Sequence, residues 1–199
     1  MAKTYGTAVT AVRNYLSETS EGFWDDDELY SYLTYATMEL WKHLVIDDDN
    51  PYNRRVTHTL AGGGTGINLS DISGESVYRI RSITSTGNKL IPRWTVIGGG
   101  ASGSTGYISF SEQVDGSSHN IYIDYVGMPW NYTVQVESGN SNVEIDVPEV
   151  YFPWVIQRAC ISALEKAGHE TVDLKAESNK MLQSLAMDLT YGVDREGMG

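Results

Sequence analysis

Residues 40–60, LWKHLVIDDDNPYNRRVTHTL, contain the point at which the apolar period of the chain changes. Upstream of it, Leu29, Leu33, Ala36, Leu40 and Leu44 recur at steps of four, three, four and four, which lays one apolar stripe along a helix. Downstream, from Arg54, the period is two, and β-branched and aromatic residues become frequent. The break falls at 47–51, DDDNP, where the residue before the proline is pushed out of helical geometry. One amphipathic helix therefore ends here, and a run of strands begins.

The start of that helix is heavily signalled. Asp25 stands where an N-cap belongs, Glu28 three residues on completes a capping box, and Trp24 and Leu29 are placed for a hydrophobic staple across it. Asp26 and Asp27 lie at the positive end of the helix dipole. Before it, Ala8, Val12 and Leu16 mark a shorter helix that 17–22, SETSEG, brings to an end. After it, 56–60, 76–84, 89–97, 107–111, 120–126, 132–136 and 143–145 read as strands, which predicts an antiparallel sandwich or small barrel. Glycine-rich 62–66 and 98–106 are expected as projecting loops.

Helix resumes past Pro148. Ile156, Cys160, Ala163 and Ala167 form a stripe thickened by Trp154, Ala159 and Leu164, with Pro153 in the first turn and Gly168 at the C′ position. A last helix over 171–189 carries Leu174, Met181, Leu182, Leu185 and Leu189. The expected fold class is α+β. A bundle of about four helices is formed by both chain ends (1–53 and 147–189), with a central antiparallel β-sandwich or barrel inserted over 54–146 and an extended C-terminal tail at 190–199.

Composition narrows the function classes. With 199 residues the chain is long enough for a core that needs no disulfide or metal. Fourteen Lys and Arg against 26 Asp and Glu give a net charge of −12, which disfavours generic groove binding to nucleic acid. The single cysteine, Cys160, cannot form an internal disulfide and fits a reducing compartment. No apolar run is long enough to span a membrane, and the start, MAKTY, lacks the apolar region of a signal peptide.

The charge is unevenly placed. Between 54 and 93, Arg54, Arg55, Arg79, Arg81, Lys89 and Arg93 face only Asp71 and Glu75, a local excess of +4 that leaves −16 on the remainder. Arg54, Arg55, Arg79, Arg81 and Arg93 are thus candidate contacts to another subunit or partner. Arginines on the wet face of a sheet are the blander account.

Enzymatic motifs fail on inspection. A phosphate-binding loop needs a Lys after its last glycine, but Gly66 precedes Ile67 and Gly106 precedes Tyr107. The nucleophile-elbow spacing breaks at Ser102, because position 104 is serine. His43, His58, His119 and His169 are scattered without zinc-ligand spacing. An EF-hand reading from Asp47 puts Tyr52 at the glycine position and His58 at the glutamate position. The expectation is a non-enzyme with no catalytic residue, metal or cofactor. Trp94, Tyr107, Tyr122, Tyr125, Trp130 and Tyr132 leave one alternative: a carbohydrate-binding or tail-side interaction module stacking on those rings, although cross-strand aromatic pairs stabilise sheets without any ligand.

Two segments carry a resemblance. The helix opening at 23–36, FWDDDELYSYLTYA, with Trp24, Asp25, Glu28 and Leu29 as its signature, resembles the early helix of the head-to-tail connector adaptor proteins of tailed bacteriophages. The re-entry at 144–149, EIDVPE, into a helix carrying Ala159, Ala163 and Gly168, is similar to the strand, proline and small-residue helix of the same proteins. The resemblance implies a structural virion protein of the neck, assembled in the host cytoplasm as a homo-oligomeric ring, commonly of twelve copies. Such a ring docks on the portal protein, extends the DNA channel without binding DNA specifically, and presents a surface to a tail, nozzle or tail-terminator protein. It also implies no membrane partner. In that setting the tail after Leu189 becomes the portal-binding segment, with Tyr191, Val193 and Met198 as apolar anchors and Asp194 and Arg195 as charged neighbours. The β insertion of about ninety residues is large for that family.

Overall fold

The N-terminal segment is tied down by backbone pairing before the first helix begins. Lys3 O accepts from Ile145 N–H (2.6 Å), Tyr5 N–H donates to Val143 O (3.0 Å), and Thr4 and Glu144 form an isolated antiparallel bridge. These contacts come from a computed structural model, which describes residues 3–18, 22–46, 51–61, 64–72, 77–85, 89–90, 93–97, 106–110, 119–129 and 141–193. The chain divides into two units, one made of residues 1–42 and 134–199, the other of residues 43–133. Among the described residues there are four helices and two small antiparallel sheets, a mixed α+β architecture.

The first unit carries the helices. Helix α1 (Tyr5–Tyr15) opens on a capping box in which Thr4 and Thr7 each accept from the other's backbone N–H. It buries Tyr5, Ala8, Val9 and Val12. It closes at Ser17, which takes φ 57° while Ser17 N–H donates to Asn14 O and Glu18 N–H to Arg13 O, the paired closure of a Schellman turn. Helix α2 (Asp26–Leu44) buries all five residues of its apolar stripe, each at 7 % exposure or less. Its cap differs from a reciprocal box. Glu28 N–H donates to Asp25 Oδ1 (2.7 Å), but the Glu28 carboxylate accepts instead from the Tyr32 hydroxyl and from Lys166. A tertiary cation outbids the local backbone donor.

Helix α3 (Phe152–Lys166) follows a 3₁₀ turn, Glu149–Tyr151, and has Pro153 in its first turn. Its buried set is Phe152, Trp154, Val155, Ala159, Cys160, Ile161 and Ala163, so Val155 and Ile161 are in the core while Ile156 and Ala167 are only half-buried. The expected stripe is rotated because neighbours cover this helix on more than one side. Gly168 stands at φ +79° with its N–H on Glu165 O and His169 N–H on Leu164 O, a second Schellman closure. Helix α4 (Val172–Val193) runs four residues past its expected end, so the first four residues of the expected tail are helical rather than extended. Continuing an existing helix adds one hydrogen bond per residue without the cost of nucleation, and local polarity does not stop it.

Side chains join these helices at buried points. Trp24 Nε1 donates to Ala163 O (3.1 Å) and Trp154 Nε1 to Ser178 O (2.9 Å). Arg13, nearly buried, holds Asp26 Oδ1, Glu18 Oε2 and Trp24 O together, and Arg158 pairs with Glu39 at 2.7 Å.

The second unit carries the strands. One sheet has the order β1-β7-β3-β4, from β1 (Asn53–Leu60), β7 (His119–Gly127), β3 (Val77–Ser85) and β4 (Lys89–Leu90). The other has the order β2-β6-β5, from β2 (Gly66–Asn68), β6 (Tyr107–Phe110) and β5 (Trp94–Ile97). Leu60, Ile67, Ile80, Ile83, Ile108, Phe110, Ile121 and Ile123, drawn from both sheets, form one buried cluster.

Three strand expectations change. The single run 89–97 divides into β4 and β5, which join different sheets, and Pro92 between them lacks the N–H that a continuous ladder strand would need. Residues 143–145 pair with the N-terminal segment in the helical unit, because Ile145 and Val147 are buried there. Strand β2 begins at Gly66, inside the stretch expected as loop. The expected strand 132–136 lies outside the described residues.

Candidate functional site

Among the described residues a concave site on the four-stranded sheet is lined by Asn53, Arg54, Arg55, Arg81, Ser82, Asp124 and Tyr125, with a volume of about 430 Å³. Strand alternation places it. On β7, Ile121, Ile123 and Tyr125 point into the core, while Asn120, Tyr122 and Asp124 point out. Register then sets Arg55 opposite Asp124 and Thr57 opposite Tyr122 on β1, and Ser82 opposite Asp124 on β3.

Strand β3 carries two bulges. Val77 and Arg79 face Gly127 and Val126, and Ile80 and Ser82 face Tyr125 and Asp124, so Tyr78 and Arg81 are each an extra residue. A bulge re-aims its side chain. Here it brings Arg81 to the same cleft as Arg54 and Arg55. Arg54 occupies room that Gly127 leaves open: a Cβ on Gly127 would come within 3.1 Å of Arg54 Nε.

The electrostatics centre on Asp124. Arg55 grips it with two bonds, Nε to Oδ1 (2.6 Å) and Nη2 to Oδ2 (3.0 Å), and the Ser82 hydroxyl donates to Oδ2 (2.7 Å). The Arg55 bond holds the Asp124 carboxyl below its ordinary pKa against a smaller opposing effect of burial, with help from Ser82 and Arg81. The same bond raises the Arg55 guanidinium, which also sits 5.9 Å over the Tyr122 ring. The lining sets three guanidinium groups beside one carboxylate. Guanidinium groups gathered in this way are suited to binding anionic groups.

The five candidate arginines are therefore separated. Arg54, Arg55 and Arg81 converge, whereas Arg79 is exposed elsewhere on β3 and Arg93 precedes β5 of the other sheet. Asp124 and Ser82, which organise the site, carry no sequence signal of their own. The helix-start residues are structural: Trp24 anchors to Ala163, Asp25 caps, Glu28 takes Tyr32 and Lys166, and Leu29 is fully buried. Among the tail candidates, Tyr191 and Val193 fall on the backbone of α4, and Asp194, Arg195 and Met198 lie outside the described residues.

The aromatic platform loses two members. Tyr125 is in the core and Trp94 packs against it, leaving Tyr107 and Tyr122 half-buried, with Trp130 and Tyr132 outside the described residues. Burial pushes the Cys160 thiol up to about 12, so it sits in the core as an inert thiol. Among the described residues no helix is long and apolar enough to cross a membrane, and no three His, Cys, Asp or Glu side chains gather to hold a metal. No protein-family model matches the chain, and no curated protein matches it.

Proposed function

We propose that the chain is the subunit of a head-to-tail adaptor ring in a tailed bacteriophage, docking on the portal and offering a surface to the tail. The observation that carries this reading is the discontinuous helical unit: residues from both chain ends make one unit of four helices, while residues 43–133 make the other. The anchoring of Trp24 on Ala163 supports it, since it links the two segments on which the resemblance rests. Physical chemistry agrees. A net charge of −12 suits a conduit wall that repels phosphate and so lets DNA pass without the counterion-release affinity of a basic wall. A ring interface is heterologous, and a chain with an arginine-rich cleft and an acidic remainder has two unlike faces.

The test is mass in solution, by light scattering after size exclusion, for the chain alone and mixed with a candidate portal. The expected result is entry into the portal complex by the full chain. A variant lacking 194–199, which spares all of α4 and with it Tyr191 and Val193, should fold normally and attach more weakly for want of Asp194, Arg195 and Met198. A full chain that stays at 22.0 kDa and ignores every portal overturns the reading. Undiminished attachment by the truncated variant removes the role of 194–199.

A further inference from the structure

We infer that the outer edge of β5 pairs with the same edge of a second copy of the chain, antiparallel and with Thr95 opposite Thr95, so that the three-stranded sheets of two copies become one continuous sheet. The inference goes beyond the adaptor reading and does not rest on it. Strand geometry shows which groups are on offer. Leu69 N–H donates to Gly106 O and Phe110 N–H to Thr65 O, so Gly106, Ile108 and Phe110 turn their backbone groups towards β2, while Tyr107 and Ser109 turn theirs towards β5. On β5 the residues opposite those two are Ile97 and Thr95. The N–H and C=O of Trp94 and Val96 therefore point outward, and among the described residues nothing bonds to them. The other sheet edges are blunted: β1 carries Arg54, Arg55 and His58, β4 is two residues long and carries Lys89, and β2 is three residues long. Strand β5 has no charged residue, and Val96 (40 % exposed) and Ile97 (58 %) lie uncovered on its two opposite faces.

A second copy suits this edge because the strand is complementary to itself. With Thr95 on the two-fold axis, Trp94 of each copy lies opposite Val96 of the other and exchanges both backbone bonds with it, and the pair sets an aromatic ring beside a β-branched side chain. Thr95 meets Thr95 on the other face. Charge favours the same route. Residues 43–133 hold six Lys and Arg against eight Asp and Glu, so −10 of the chain's −12 belongs to the other unit, and copies repel least through the unit that carries β5. The contact is isologous and closes at two copies, unlike the heterologous contacts of a ring, so it describes the chain outside one. Four residues a side fall far short of the roughly 20–30 of a stable interface, which makes the pairing reversible and dependent on concentration.

The experiment is sedimentation equilibrium of the full chain, with amide hydrogen exchange read residue by residue. Wild type should rise from 22.0 kDa towards twice that mass between about 10 μM and about 1 mM. The amides of Trp94 and Val96 should slow over the same range, while those of Thr95 and Ile97, bonded to β6, are slow throughout. Raising salt should tighten the pair, because it screens the repulsion of −12 and the edge has no charge of its own to screen. Val96→Pro removes one outward N–H from each copy and leaves the Thr95 and Ile97 bonds in place, a position at which an edge strand tolerates proline. It should weaken pairing about thirtyfold with the far-UV circular dichroism unchanged. Should the proline disturb the sheet, Val96→Lys keeps every backbone group, charges the edge, and should also abolish the rise in mass. Wild type that stays at 22.0 kDa at the highest concentration overturns the inference, as do variants that pair like wild type, or exchange at Trp94 and Val96 that ignores concentration. Weakening by salt overturns it in favour of a charged contact. Slowing of those two amides by portal protein, and not by more of the chain, overturns it in favour of a strand that the portal supplies.

Discussion

Two residues hold left-handed backbone at helix ends, and they differ in what that costs. Gly168 at φ +79° carries no Cβ penalty, whereas Ser17 at φ 57° does, though both close the same pair of hydrogen bonds. The expected outcome is that Gly168→Ala destabilises by about 1 kcal/mol and Ser17→Gly stabilises by about as much, read from urea unfolding midpoints. A Cβ on Gly168 meets nothing within 4 Å, so the first effect is one of backbone conformation alone. A Ser17→Gly variant of unchanged stability would show that the serine side chain compensates for its conformation.

Strand register and bulging, which belong to elements rather than residues, create the charged cleft. Asp124 is held below its ordinary pKa chiefly by the Arg55 bond, so its contribution to stability is present above the unfolded value of about 3.9 and is lost as pH falls through the lower folded value. Wild type should lose stability on acidification below about pH 4, and Asp124→Asn should flatten that part of the decline, measured by urea unfolding across the range. Equal slopes for the two proteins would remove Asp124 from the acid response. Strand β2 depends on a close approach of a different kind. A Cβ on Gly66 would lie 2.1 Å from Ile108 O and 2.4 Å from the Tyr107 ring, and a backbone oxygen cannot swing away as a side chain can. Gly66→Ala should cost about 3 kcal/mol and loosen the three-stranded sheet, seen as reduced amide protection in β2 and β6. Unaltered protection would mean that β2 shifts as a whole to admit the methyl group.

At the scale of the whole molecule, charge is the dominant property. A net −12 adds a long-range repulsion between copies, and that repulsion vanishes near the isoelectric point of about 4.6. Turbidity should therefore peak near that pH. A solubility minimum displaced well above it would point to association through the arginine-rich face while the acids are still ionised. The helix stripes of α1 and α2, the proline-led start of α3, the Gly168 stop and the alternation in β1 and β7 all follow from local period and turn chemistry, and the chain obeys them. They could be read in the sequence because each depends on residues within about two helical turns of one another.

The site was legible only in part. The arginine excess marked Arg54, Arg55 and Arg81 but equally Arg79 and Arg93, which lie elsewhere. Asp124 is 69 residues from Arg55, and the pair exists only because β1 and β7 are in one register and no other. A shift of one residue would turn Asp124 into the core, and the bulge that delivers Arg81 is set by the fit of β3 against β7. The same holds for Glu28, drawn from its own cap to Lys166, and for 143–145, which pair with the chain's start instead of a sheet. Local chemistry thus determined where helices and strands begin and end. Which side chains meet was decided by tertiary structure, because long-range pairing energies outweigh local preferences that differ by a kcal/mol or less.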